Sequence, residues 1–146
     1  MENLDGKCVV LGVTGGIAAY KMANVASALR KAGADVHVIM TENATRFIAP
    51  LTFETLSGNQ TYVSSFEKTW EIEHISLAKA ADLLLIAPCT ANMIGKIACG
   101  IADDLLSTTA MATTAPILLA PAMNCNMYLS AANQQNLATL KARGVK

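Results

Sequence analysis

Four short stretches of the sequence carry residue types that can do chemistry at places where the chain is expected to turn. Gly12-Val13-Thr14-Gly15-Gly16-Ile17 sets a pair of glycines between an apolar run and a helical pattern. Such a turn lets backbone N–H groups face an anion held by the helix dipole, so it suits a phosphate. It is neither G-x-G-x-x-G nor a P-loop ending in Gly-Lys-Ser/Thr, which favours a mononucleotide phosphate over a dinucleotide or ATP. A purely structural turn is the alternative, because glycine is also the default residue there. His74 follows Glu71 and Glu73 at the expected start of a helix. A helix N-terminus disfavours imidazolium and keeps the ring neutral, the state of a base; a solvent-facing loop histidine is the alternative. Pro88-Cys89-Thr90-Ala91-Asn92 and Pro121-Ala122-Met123-Asn124 both follow apolar runs and both join a proline, small residues and an asparagine. Small residues let a flat ring approach the backbone, and an asparagine amide donates and accepts hydrogen bonds without charge. Ordinary strand-ending Asx turns have the same composition. His37 lies inside a strand pattern and Met123 and Met127 flank Asn124; all three read as structural.

The elements that must position these residues alternate between strands and helices. Lys7–Val13 and Asp82–Ala87 are nearly continuous apolar runs, as in parallel strands buried on both faces. Asp35–Thr41 and Pro116–Ala120 add strands, and Thr61–Val63 a short one, with Pro88 expected to end the pairing of its strand. Apolar positions at spacings of three and four predict a helix over Ile17–Ala32, closed by Gly33. Further helices are expected over Ala44–Ile48, Thr52–Leu56, Ile75–Ala81, from the Pro88–Asn92 turn to about Cys99, and over Asp103–Ala112. A last one, capped by Ser130, should end at Arg143 before Gly144. Trp70–Glu73 reads as loop, and Val145-Lys146 as the beginning of another strand, so the chain looks cut within a βα unit. The pattern is an α/β doubly wound parallel sheet in a single domain, Rossmann/flavodoxin-like, whose ligand belongs outside the carboxyl ends of the strands. Gly15, Thr41, Pro88 and Pro121 each follow a strand and should border it.

Eleven Lys/Arg balance eleven Asp/Glu across 146 residues, and only 15% of residues are charged. Without a basic excess, nucleic acid is excluded as a partner. A mean hydropathy of +0.38 comes with no apolar run approaching the roughly 18 residues of a helical span, so no membrane partner is expected. High apolar content with little charge instead predicts a subunit interface. The polar start of the chain does not read as a signal peptide, which predicts a cytoplasmic protein. Cys8, Cys89, Cys99 and Cys125 form no C-x-x-C pair; neither a metal site nor a disulfide framework is expected, and most should be buried thiols.

Taken together, Gly12 through Lys21, His74-Ile75-Ser76-Leu77, Pro88 through Met93 and Pro121 through Tyr128 resemble the homo-oligomeric flavin-containing cysteine decarboxylases, in order and over essentially the whole chain. The resemblance implies FMN as cofactor, and a homo-oligomer, a trimer or dodecamer, with the flavin between subunits. The substrate it implies is 4′-phosphopantothenoylcysteine, decarboxylated to 4′-phosphopantetheine in coenzyme A biosynthesis. A carboxylate cannot leave a saturated carbon without an electron sink. The implied sink is a thioaldehyde, made by oxidising the cysteine moiety at the expense of the flavin with His74 as base. Asn124 would hold the substrate carboxylate. Gly15, Gly16 and Ile17 would meet the FMN phosphate, Thr41 and Phe47 would stand beside the flavin, and Cys89, Thr90, Ala91, Asn92 and Ala122 would line the ring. Cys89 reads as a neutral packing residue.

Met93 stands where the family has threonine, and Tyr128 where it has tryptophan. The family's proton-donating cysteine lies in a flap beyond the last helix, so none of the four cysteines takes that role; the chain is expected to be the decarboxylase core, without flap or fused ligase domain. The alternatives are a flavin prenyltransferase, which shares the fold and FMN, and a non-catalytic FMN-binding regulatory relative. A third, an NAD module using Glu42, lacks the glycine fingerprint.

Overall fold

Strand residues that are apolar on both faces need a layer of helices above and below them, and this chain supplies both. The computed structural model describes residues 3–63 and 70–146, with side chains throughout these ranges except at 70–74. Strands β1 (Cys8–Val13), β2 (Asp35–Met40), β3 (Tyr62–Val63), β4 (Leu83–Cys89) and β5 (Ile117–Pro121) form one sheet in the order β3-β2-β1-β4-β5. All four pairings are parallel, with Leu11 level with Val38 on one side and Leu85 on the other. The helices are α1 (Met22–Lys31), α2 (Pro50–Ser57), α3 (Trp70–Ala80), α4 (Ala91–Cys99), α5 (Leu105–Ala112), α6 (Cys125–Leu129) and α7 (Ala131–Ala142).

Strand alternation divides the core into two. Val10, Ile39, Leu84 and Ile86 face one side, where they pack with Leu77 of α3, Met93 and Ile94 of α4, Leu106 of α5 and Leu140 of α7. Val9, Leu11, Val13, Val36, Val38 and Met40 face the other, against Ala26 of α1 and Phe53 of α2. The result is the doubly wound, flavodoxin-like α/β sheet expected from the alternating elements. Among the described residues no helix is long and apolar enough to cross a membrane.

Several local expectations are corrected. The helix expected over Ile17–Ala32 begins as a 3-10 turn at Ile17–Lys21 before α1, and the short one expected over Ala44–Ile48 is a 3-10 turn at Asn43–Arg46. Helix α3 starts at Trp70, so Trp70–Glu73 is helical and His74 is its fifth residue, past the first turn where the dipole acts most strongly. Helix α5 starts later than expected because Asp104 is its N-cap: its carboxylate accepts from Ser107 N–H at 2.7 Å and the Ser107 hydroxyl accepts in return from Asp104 N–H. The short helix α6 was not expected at all; Asn124 caps it, its Oδ1 accepting from Asn126 N–H at 2.8 Å. Only Cys89 of the four cysteines is buried; Cys8 is half-buried and Cys99 and Cys125 are exposed. Pro88 does not end its strand: β4 continues to Cys89, which pairs with Pro121 across an irregularity in register after Ile86. Lys146 bonds to the outer edge of β5, donating to Ile117 O at 3.0 Å and accepting from Leu119 N–H at 2.7 Å.

The strand order reverses between β1 and β4, and one buried side chain joins their carboxyl ends. Thr14 is 1% exposed; its hydroxyl donates to Pro88 O and accepts from Thr90 N–H at 3.1 Å. Thr14→Val keeps the shape and removes both bonds, leaving the half-buried Thr90 amide without its acceptor while Pro88 O keeps only the longer bond from Thr14 N–H at 3.4 Å. Such an unpaired group costs about 1–3 kcal/mol. Denaturant melts of Thr14→Val should therefore show a loss of about 1–3 kcal/mol, with Thr14→Ser recovering most of it.

Candidate functional site

In an open doubly wound sheet, loops part on either side of the point where strand order reverses, leaving a crevice at the carboxyl edge. Here that crevice is a cavity of about 960 Å³, within the range of small-molecule sites. Three sets of loops build it. The turn after β1 gives Thr14, Gly15, Gly16 and Ile17; the turn after β2 gives Thr41, Glu42 and Asn43; the turns after β4 and β5 give Thr90 to Met93, Ala122 to Asn124, and Met127.

The glycine turn is shaped by its neighbours. A Cβ on Gly15 would lie 2.5 Å from Asn43 Cβ and 3.0 Å from the Asn43 carbonyl carbon, so only glycine lets the β1 and β2 loops close together. A Cβ on Gly16 would meet nothing nearer than Thr90 Cγ2 at 3.9 Å, which means the fold itself tolerates a side chain there. Gly16 N–H donates to Thr14 O at 2.9 Å. The N–H groups of Gly15, Ile17 and Ala18 have no acceptor among the described residues. Three free donors beside a cavity are an anion cradle built from main chain. Thr41 shapes the neighbouring loop, its hydroxyl accepting from Ala44 N–H at 3.2 Å.

The far wall carries the one cation of the described lining, Lys96, against three acids, Glu42, Asp103 and Asp104. Lys96 Nζ lies 2.8 Å from Asp103 Oδ1 and 2.7 Å from Asp104 Oδ2. Partial burial opposes its charge, but the hydrogen bonds it donates to the two carboxylates, with their charges, outweigh that and raise its pKa. The ammonium is thus permanently charged and already paired. It fixes Asp103 and Asp104 as part of the wall. Sequence reading missed this pair; the Asp104-x-x-Ser107 cap was its legible trace.

Of the residues singled out from sequence, Gly15, Gly16, Ile17, Thr41, Thr90, Ala91, Asn92, Ala122 and Asn124 line the cavity. Asn124 spends its Oδ1 on capping α6, which leaves its Nδ2 without a partner among the described residues and free to donate to a ligand. Thr90 caps α4 by accepting from Met93 N–H at 3.3 Å. Cys89 and Phe47 are not among the lining residues. Cys89 is fully buried in the core beneath the site, and burial pushes its thiol up to about 12, which makes it the neutral packing residue its sequence context suggested. Phe47 stands on the surface, 47% exposed, just after the 3-10 turn at Asn43–Arg46. The side chain of His74 lies outside the described residues. Alternation of small and apolar residues did not reveal Met93, Ala102 or Leu105, which enter the lining only because α4 and α5 fold back over the sheet edge.

A family model described as Flavoprotein matches residues 1–146. The coenzyme A biosynthesis bifunctional protein CoaBC of Haemophilus influenzae is 49% identical over 146 residues, covering 99% of this chain and 36% of the relative. The protein of the same name from Bacillus subtilis is 50% identical over 143 residues, covering 97% of this chain and 35% of the relative. The chain therefore spans just over a third of the length of these curated relatives. Among solved structures, the FMN-dependent cysteine decarboxylase SpaF superposes with a TM-score of 0.89 at 32% identity, covering 98% of this chain and 83% of that one. A PPC decarboxylase mutant complexed with pantothenoylaminoethenethiol gives a TM-score of 0.83 at 30% identity, covering 96% and 80%. Match over the full chain and a shared fold lead to one conclusion: the chain belongs to the Flavoprotein family.

Proposed function

We propose that residues 1–146 form a decarboxylase domain that binds FMN in the carboxyl-edge cavity and acts on the cysteine moiety of 4′-phosphopantothenoylcysteine, yielding 4′-phosphopantetheine for coenzyme A. The carrying observation is the cavity's donor set: free main-chain N–H groups at the glycine turn and the free Asn124 amide, in a lining whose one cation among the described residues is already paired. Two uncharged anion sites on one cavity suit a phosphate at one end and a carboxylate at the other. The residues fit FMN on this ground. Gly15 and Gly16 leave the turn bare for a phosphate, and Thr90, Ala91, Asn92 and Ala122 leave flat space for a ring. Bound FMN supplies a two-electron oxidant for a thiol-bearing carbon, the chemistry that creates an electron sink for decarboxylation.

The chain's own residues do the positioning. Asn124 Nδ2 donates to the substrate carboxylate, and because its Oδ1 is held by the Asn126 N–H the amide cannot rotate to present the wrong atom. His74, in the half of α3 nearer the carboxyl edge, is assigned the role of base on the cysteine side chain. Thr90 and Asn92 face the ring edge. Ile17 and Met127, 75% and 51% exposed at the cavity mouth, form apolar lips suited to a second subunit. The assembly is accordingly a homo-oligomer, a trimer or a larger shell, in the cytoplasm, with the ring between protomers.

Three outcomes follow. Purified protein should bind about one FMN per chain, measured by absorbance after gel filtration, and a colourless protein that takes up no added FMN refutes the assignment. Gly16→Ala should keep the melting temperature while weakening FMN binding at least tenfold, whereas Gly15→Ala should lower the melting temperature itself. His74→Asn should retain bound flavin while slowing anaerobic flavin reduction by 4′-phosphopantothenoylcysteine roughly 10²–10⁴-fold, the usual range for a positioned base. Wild-type rates in that variant remove His74 from the mechanism.

A further inference from the structure

The opposite, amino-terminal edge of the sheet carries a cluster that the carboxyl-edge cavity does not use. In the β1–β2 register Cys8 lies beside Asp35, and Val10 beside His37. Because strand side chains alternate, Cys8, Asp35 and His37 share one face. Their ligand atoms, a thiol sulfur, a carboxylate oxygen and an imidazole nitrogen, all lie within 4.8 Å of one another. Neither the spacing in sequence nor the absence of C-x-x-C could show this, since the pairing of two strands makes it.

The cluster is unfinished. His37 Nε2 lies 2.9 Å from Asp35 Oδ2, so the ring is held, while its Nδ1 is buried and has no partner among the described residues. Asp35 is itself anchored through its other oxygen, which accepts from Asn59 Nδ2 at 2.9 Å. Asp82 closes the other side, accepting from Cys8 N–H at 2.8 Å. The thiol is thus half-buried between two carboxylates. Burial first, and then the charges of Asp35 and Asp82, push the Cys8 pKa up. Such a field keeps the thiol protonated when alone and attracts a cation.

We propose that Cys8, His37 and Asp35 form a binding site for a divalent zinc-like cation at the amino edge of the sheet. Thiolate and imidazole together select zinc over calcium or magnesium, which prefer oxygen alone. Bonds of about 2.0–2.3 Å bring tetrahedral ligand atoms to roughly 3.3–3.8 Å apart, so closure needs side-chain rotation and no strand movement. Binding releases the Cys8 proton to solvent. The thiolate and the Asp35 carboxylate then balance the two positive charges, and water takes the fourth position. The site would clip β1 to β2 at the end of the sheet remote from the flavin cavity.

Cobalt(II) serves as the spectroscopic probe, added to the full chain and read against the same protein without cobalt. The wild type should show a thiolate-to-cobalt charge-transfer band at one cobalt per chain, displaced by zinc, together with a rise in melting temperature on adding zinc. Cys8→Ser should abolish the band, and His37→Gln should weaken cobalt binding at least about tenfold. The Cys99→Ser/Cys125→Ser double variant should keep it. Absence of the band in the wild type, its survival in Cys8→Ser, or unchanged affinity in His37→Gln overturns the site. Melts of each variant without metal confirm folding, so a lost band in a folded Cys8→Ser protein reports ligation.

Discussion

The Thr14 hydroxyl is the constraint around which this molecule is arranged. A doubly wound sheet must part its loops where strand order reverses, and that is also where the sheet has least to hold its ends together. Thr14 closes the gap from inside, donating to Pro88 O and accepting from Thr90 N–H while fully buried. One side chain therefore fixes the end of β1, the end of β4 and the N-cap of α4. The glycine turn begins at the next residue, and Thr90 lines the cavity. Distances between the anion cradle and the ring-sized space descend from this one buried bond pair.

Charge in the cavity follows a second rule. A mobile lysine would bind any anion that entered; here Lys96 is bound on both sides by Asp103 and Asp104, and those bonds hold a wall in place. What remains for an anionic ligand among the described residues is neutral: main-chain N–H groups at Gly15, Ile17 and Ala18, and the Asn124 amide. Neutral donors have fixed directions, so they discriminate by geometry. That is the requirement for a site in which two anionic groups of different molecules must be held at set positions relative to a ring.

The parts of this arrangement that were legible in the sequence are those carried by local pattern. Unbroken apolar runs gave β1 and β4, and glycine pairs and P-x-x-N turns marked the carboxyl edge. What was not legible came from residues whose neighbours in space are distant in sequence. Pro88 reads as a strand end, but the partner carbonyls and amides of β5 and Thr14 carry the pairing to Cys89. Helix α3 reads as starting near Ile75, because Trp70 to Glu73 lack a cap signal, yet the helix extends back to Trp70. Cys89 sits in a motif that borders the cavity and still turns inward, since strand alternation sends it to the core while Thr90 faces out. Cys8, Asp35 and His37 meet only through strand register.

The two edges of the sheet then differ in a way that follows from parallel topology. All five strands point the same way, so every βα turn gathers at one edge and every αβ turn at the other. The carboxyl edge collects free N–H groups and is left open, its lips Ile17 and Met127 apolar and exposed. The amino edge collects acids, Asp35 and Asp82, beside a half-buried thiol and imidazole. The first edge offers main-chain N–H groups and an amide to an anion, and the second offers carboxylates, a thiol and an imidazole to a cation, with Lys7 Nζ 3.9 Å from Asp82.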